Sequence, residues 1–353
     1  MSICAFDHPY LGGLLGDEET ARLFSVEAET AAMLAFEKAL AGAEAAAGLI
    51  SAEHAERIAE VCSDFRPDVD GLRTGTARDG VVVPELVRQL RRAIGGEAAQ
   101  HAHFGATSQD VIDTALMLRL KGICALFRGR LDQLDAALRR TDESFGCRPL
   151  MAHTRMQPAI RITVGDRLRA WAEPLRHHGR SLARLQDNGL ALQLGGAAGT
   201  LEKLGEKGAA VRAAVAAELG LVDKPQWQSQ RDLIVEFGSL LSLISGALGK
   251  FGQDVALLAQ GGIEIELAGG GGSSAMPHKQ NPVAAEVLVS LARFNAAQVA
   301  GLHQSLVHEQ ERSGGAWTLE WMILPQMIAA TGAALRLALD LTGAIISLGA
   351  AEN

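Results

Sequence analysis

The residues best suited to chemistry lie in one loop. Four consecutive glycines, Gly269 to Gly272, run into Ser273-Ser274-Ala275-Met276-Pro277-His278-Lys279-Gln280-Asn281-Pro282. Glycine lets the backbone approach a ligand closely. A proline on each side of the polar core suggests a fixed shape, which a bare linker between two helices does not need. Two serines, a lysine and an asparagine are the residue types that move a proton or hold an anion. Lys279 is not placed as in G-x-x-x-x-G-K-[ST], so this is not a nucleotide P-loop.

Two other segments can serve an anionic ligand. In His103-Phe104-Gly105-Ala106-Thr107-Ser108-Gln109-Asp110, Thr107 or Ser108 can cap the helix that follows and Asp110 can complete a capping box. A helix N-terminus offers free N–H groups and positive potential to a carboxylate. Taken alone, the segment also fits an ordinary capped helix beside a packing histidine. In Met151-Ala152-His153-Thr154-Arg155-Met156-Gln157-Pro158-Ala159, Arg155 can grip a carboxylate in bidentate fashion, or the segment is a polar helix entry. His101/His103 and His177/His178 lack the spacing of an H-E-x-x-H site, and no Cys pair supports them, so no metal is expected. Gly195-Gly196-Ala197-Ala198-Gly199 lacks the third glycine of a dinucleotide fingerprint and reads as a close-packing turn.

Such residues need elements to position them, and the elements are helices. The apolar content is mostly Ala and Leu, with few aromatics, which favours closely packed helices. Glu18 to Gly48 has helical spacing, Ser51 can cap a second helix and Pro84 can start another. Ile112, Leu116, Leu120, Ile123, Phe127, Leu131, Leu134 and Leu138 follow in steps of three and four, which marks one helix face. Ile234, Phe237, Leu241, Ile244, Leu248, Phe251, Val255 and Leu258 alternate those steps without a fault, as a coiled-coil seam does. Further helical runs are expected from Pro282 to Leu306 and from Leu324 to Leu348. No stretch shows clear period-two alternation. The expectation is an all-α fold: a small N-terminal helical domain, 1–102, and a central bundle of long helices, 103–353, carrying the glycine loop. Wide apolar faces on long helices are often buried in an oligomer.

The bulk properties exclude some functions. The formal charge of −8 gives no basic footprint for nucleic acid. Glu236, Lys250 and Asp254 interrupt the apolar stretch Leu233 to Leu258, making it a poor membrane span. Cys4, Cys62, Cys124 and Cys147 form no C-x-x-C pair and read as reduced cytoplasmic thiols. Met1 to Tyr10 has no leader pattern.

Taken together and in this order, the three segments resemble the fumarase/aspartase superfamily. Gly272 to Pro282 matches its signature G-S-S-x-M-P-x-K-x-N-P at every fixed position, and His103 to Thr114 matches H-x-G-x-T-S-x-D-x-x-D-T. Within the superfamily, Ala77 to Val87 and Trp227-Gln228-Ser229-Gln230-Arg231-Asp232 are similar to segments of the 3-carboxy-cis,cis-muconate cycloisomerases. The resemblance implies an intramolecular lyase that closes a lactone on 3-carboxy-cis,cis-muconate, or a close anionic analogue, in aromatic catabolism by the beta-ketoadipate route. It implies no cofactor and a cytoplasmic homotetramer whose sites are shared between subunits. An adenylosuccinate- or argininosuccinate-type lyase releasing fumarate is the alternative enzyme, and an inactive structural relative the alternative of another class. The resemblance further implies Ser273, Lys279 and His103 as catalytic residues. Thr107, Ser108, Arg155, Gln157, Arg231, Ser274, Met276 and Asn281 would contact substrate. Two features depart from the family pattern. Arg155 stands where most members have a histidine, and His153 lies two residues earlier. The chain also runs only about seventy residues past the loop, where many relatives carry another helical domain, so that domain is expected to be shortened or absent.

Overall fold

The computed structural model describes residues 4–272, 276 and 280–350. The chain begins with α1 (Gly12–Leu15) and α2 (Glu18–Leu23), followed by α3 (Val26–Ala46), α4 (Ala52–Asp64), α5 (Val69–Asp79) and α6 (Val83–Ile94). The run from Glu18 to Gly48 is therefore two helices. Ser25 breaks it, because its hydroxyl accepts from the Ala28 N–H at 3.2 Å and starts α3 afresh. Ser51 caps α4 in the same way, accepting from the His54 N–H at 3.1 Å. Pro84 sits in the first turn of α6, where a missing N–H costs nothing.

The long elements follow: α7 (Ser108–Phe145), α8 (Val164–Asn188), then the shorter α9 (Gly208–Leu219), and α10 (Asp232–Gly261), α11 (Val283–Gln304) and α12 (Gly315–Gly343). Helix α10 packs against α8, α11 and α12, while α7 packs against α3, α8 and α12. All eight residues of the Ile112 to Leu138 stripe are buried, as are all eight of the Ile234 to Leu258 seam. They join one continuous core. A second, smaller core is built from α3, α4, α6 and the segment up to Ala102. By length and composition alone, α10, α11 and α12 are each apolar enough to cross a membrane, so the charges in Leu233 to Leu258 do not decide that question. The most apolar part of α10 is 56% buried inside the chain and that of α12 is 67% buried, but only 28% of that of α11 is.

Short strands qualify the all-α expectation. β1 (Pro149–Thr154) and β2 (Gln157–Thr163) form a hairpin, and β3 (Ile265–Leu267) pairs with β4 (Ile345–Leu348), both antiparallel. Nearly every side chain of β2 is exposed. A strand with no buried face writes no alternating pattern. The last expected helical run is also shifted: α12 begins at Gly315 and stops at Gly343. Leu348 is then buried as part of a strand.

Candidate functional site

The N-terminus of α7 is assembled as its sequence suggests. Thr107 has extended backbone and forms a capping box with Asp110, whose Oδ2 accepts from the Thr107 N–H at 3.0 Å. Asp110 is buried and does more than cap. It also accepts from Gln193 Nε2 and from the Gly195 and Gly196 N–H groups, each at 2.9 Å. Burial pushes its carboxyl up to about 6, against the pull of those hydrogen bonds. The glycines are needed for close approach. Gly196 has φ +70, and a Cβ there would lie 3.0 Å from the Gly105 carbonyl oxygen. The close-packing reading of Gly195 to Gly199 fits this geometry.

Sequence reasoning missed one cation at this end. Arg312 donates from Nη1 to Thr107 Oγ1, from Nε to Gln109 Oε1 and from Nη2 to the Ala197 carbonyl, each at 3.1 Å. Arg312 is exposed, while Thr107 and Ser108 are half-buried. A helix N-terminus with an exposed guanidinium laid across it can hold a carboxylate. The available signal was the polar run His308-Glu309-Gln310-Glu311-Arg312-Ser313 just before a long apolar helix. His103 lies on the same approach to α7, with a left-handed backbone at φ 61. Its Nδ1 is 2.6 Å from Glu37 Oε1. Burial lowers the affinity of this imidazole for a proton, but the charge and hydrogen bond of Glu37 outweigh it and raise its pKa.

Arg231 requires a correction. It was expected to contact substrate, but it is 1% exposed. Its guanidinium is clamped by Asp113 at 2.6 and 3.1 Å and by Glu320 at 2.9 and 2.5 Å. It also stacks on the Trp227 ring, 4.9 Å from the centroid. The Trp317 indole N–H donates to the same Asp113 at 3.1 Å. Every nitrogen of this guanidinium is committed to a carboxylate. Its role is to lock the starts of α7, α10 and α12 together.

The other expected residues that the structure describes gather at the opposite end of the bundle. The β1–β2 hairpin turns through Arg155 (φ 46) and Met156 (φ 64), between the paired residues Thr154 and Gln157. Positive φ at both central residues is the two-residue turn that matches strand twist. It leaves Arg155 and Gln157 exposed. Arg155 borders a cleft of about 800 Å³ that is also lined by Met151, His153, Arg167, Lys250 and Glu264. Glu264 ties the hairpin to the end of α10, its Oε1 accepting from the Met151 N–H at 2.7 Å. The glycine loop springs from the same region. Its neck is closed by a pair of backbone hydrogen bonds between Gly271 and Asn281, each 2.9 Å. Helix α11 starts at Val283, just after Pro282. Met276 is exposed. Ser273, Ser274 and Lys279 lie outside the described residues.

The described site residues, Arg312 now among them, therefore form two groups. His103, Thr107, Ser108 and Arg312 lie where α10 begins; Arg155, Gln157, Met276 and Asn281 lie where it ends. At ~1.5 Å per residue, the thirty residues of α10 separate the groups by roughly 45 Å. No small carboxylic acid spans that distance. Each group alone can bind an anion.

Comparison with known proteins gives a consistent answer. The family described as lyase matches residues 17–301. The 3-carboxy-cis,cis-muconate cycloisomerase of Pseudomonas aeruginosa is 40% identical over 327 residues, covering 90% of this chain and 71% of that protein. The enzyme of the same name from Bradyrhizobium diazoefficiens is 39% identical over 324 residues, covering 88% of this chain and 70% of that protein. Among solved structures, the 3-carboxy-cis,cis-muconate lactonizing enzyme from Pseudomonas putida superposes with a TM-score of 0.90 at 35% identity. That match covers 96% of this chain and 77% of the solved one.

Proposed function

The chain belongs to the lyase family that contains the 3-carboxy-cis,cis-muconate cycloisomerases, and from that premise we propose that it closes 3-carboxy-cis,cis-muconate to 4-carboxymuconolactone. The observation that carries this reading is likeness to enzymes of that name over about nine tenths of the chain. In the reaction one carboxylate adds to the conjugated chain and a C–O bond forms. The displaced π electrons collect on a second carboxylate as an aci-carboxylate. One proton then forms a C–H bond at the carbon α to it. Nucleophile and electrophile share one molecule, so much of the entropic barrier is already removed. The protein has to fold the substrate, hold its charges and deliver that proton.

Ser273 is the residue we assign to the proton. Lys279 and Asn281 hold one carboxylate, with Ser274 and Met276 beside them. Thr107, Ser108 and Arg312 hold another at the helix N-terminus, with His103 as a donor. Arg155 and Gln157 receive the remaining anionic substituent. Arg155 is a fixed cation that suits a carboxylate but cannot exchange a proton near neutral pH, which favours ring closure over elimination. Since the two groups lie some 45 Å apart along one helix, a working site draws them from different copies of the chain. The largely unburied apolar side of α11, with Leu243 and Leu257 exposed on α10, supports a homotetramer joined through the bundle. The same reading takes 1–102 as one domain and 103–353 as the other, and the enzyme as cytoplasmic.

The test is direct. Mixed with 3-carboxymuconate, the protein is expected to remove its conjugated ultraviolet absorbance with no fumarate released. Unchanged absorbance, together with fumarate release from adenylosuccinate or argininosuccinate, would replace this reading with the elimination reaction.

A further inference from the structure

His103 has a partner outside the three segments that drew attention in the sequence. Glu37 projects from α3, its side chain fully buried, with Oε1 2.6 Å from His103 Nδ1. Its other oxygen, Oε2, has no hydrogen-bond partner among the described residues. A buried carboxylate with one partner is stable as an anion only if that partner is a cation or a strong donor. The groups around the pair come from every neighbouring element. Burial, then the charge of Glu37, pushes Glu44 on α3 up to about 8 and Cys62 on α4 up to about 12. Both are therefore neutral near pH 7. Asp110 on α7 favours a charged imidazole and Arg91 on α6 opposes it. Arg91 donates to the Ala102 carbonyl at 2.9 Å. That leaves His103 as the hydrogen-bonded counter-ion of Glu37. The ring itself is 14% exposed and stands four residues before Thr107, the cap of α7.

We propose that Glu37 is a positioning residue for the reaction: its carboxylate takes the Nδ1–H of His103 and holds the ring as an imidazolium whose Nε2–H is the donor offered to substrate at the α7 N-terminus. Nothing in the sequence marks Glu37, which looks like one more charge on an Ala-rich helix. The proposal rests on the function assigned above. A purely structural role, in which Glu37 only ties α3 to the 103–107 segment, makes a different prediction about charge.

Two measurements on the enzyme separate these roles. The first is the titration of the His103 ring, followed by carbon-13 NMR of labelled histidine and assigned with His103→Asn. In the native enzyme the midpoint is expected above the ordinary histidine value of about 6.5. In Glu37→Gln it is expected at least one pH unit lower. The second is the pH profile of kcat/KM on 3-carboxymuconate. Its alkaline limb is expected to move down with the ring in Glu37→Gln, with at least a tenfold loss at pH 7.5. Glu37→Asp, which keeps the charge, is expected to restore part of both and serves as the decisive variant if Glu37→Gln does not fold. An unchanged midpoint overturns the proposal, as does a midpoint that moves while the pH profile does not. If the native enzyme leaves 3-carboxymuconate untouched, the assigned function fails and the ring titration alone decides the role of Glu37.

Discussion

At the scale of single residues, burial sets the chemistry more than residue type does. Glu44 shows this outside the site. It is fully buried on α3, and neither carboxyl oxygen has a hydrogen-bond partner among the described residues. A carboxyl group held at about 8 in the folded chain against 4.5 in the open one makes folding progressively less favourable as pH rises between those values. The contribution is full below about 4.5, lost through about 8 and level beyond. Replacing Glu44 by Met removes an unpaired buried group, which typically costs ~1–3 kcal/mol. Glu44→Met should therefore raise the melting temperature at pH 7.5. It should also flatten the fall in stability between pH 5 and 8, as thermal melts at a series of pH values would show. Arg155 is a second case. Arg155→His is expected to change preference among anionic substituents more than it slows proton transfer. Equal loss of kcat/KM on every substrate tested would contradict that.

At the scale of elements, a few buried polar contacts decide how the long helices sit. The seam of α10 supplies burial but tolerates sliding by a turn. Asn295 on α11 opposes this by donating to Ser245 Oγ on α10 at 3.1 Å and to Thr331 Oγ1 on α12 at 2.9 Å. Arg231 does the same at the start of α10 by bridging Asp113 and Glu320. Removing one partner of a buried ion group leaves uncompensated charge, and such losses typically run to ~3–5 kcal/mol. Arg231→Met is thus expected to lower the urea midpoint sharply. Where the variant remains folded, KM should change little. A large rise in KM at unchanged stability would return Arg231 to the role of substrate contact. The apolar stripes were legible in sequence because they repeat with the helix period. The hairpin at 149–163 was not, because its second strand buries almost nothing.

For the whole molecule, length is the governing fact. Helix α10 keeps the His103 group and the Arg155 group apart, so the reading proposed above, in which both serve one reaction, requires more than one copy of the chain. Ser273→Ala and Arg312→Ala, each inactive alone, are expected to recover part of the activity when co-expressed, since some sites in mixed tetramers then carry neither substitution. Activity that stays at the level of the single variants would place the whole site within one chain.

What the sequence by itself determined was the chemistry and the helical frame. The glycine loop with Ser273, Lys279 and Asn281, the capped start of α7 and the faultless seam of α10 are local patterns, and local patterns survive without coordinates. Tertiary structure decided which of those residues can meet. It withdrew Arg231 into an ion cluster with Asp113 and Glu320, and it laid Arg312 across Thr107. It also set Glu37 behind His103, sixty-six positions away in the chain. Each is a contact between segments distant in sequence, where spacing along the chain says nothing about distance in space.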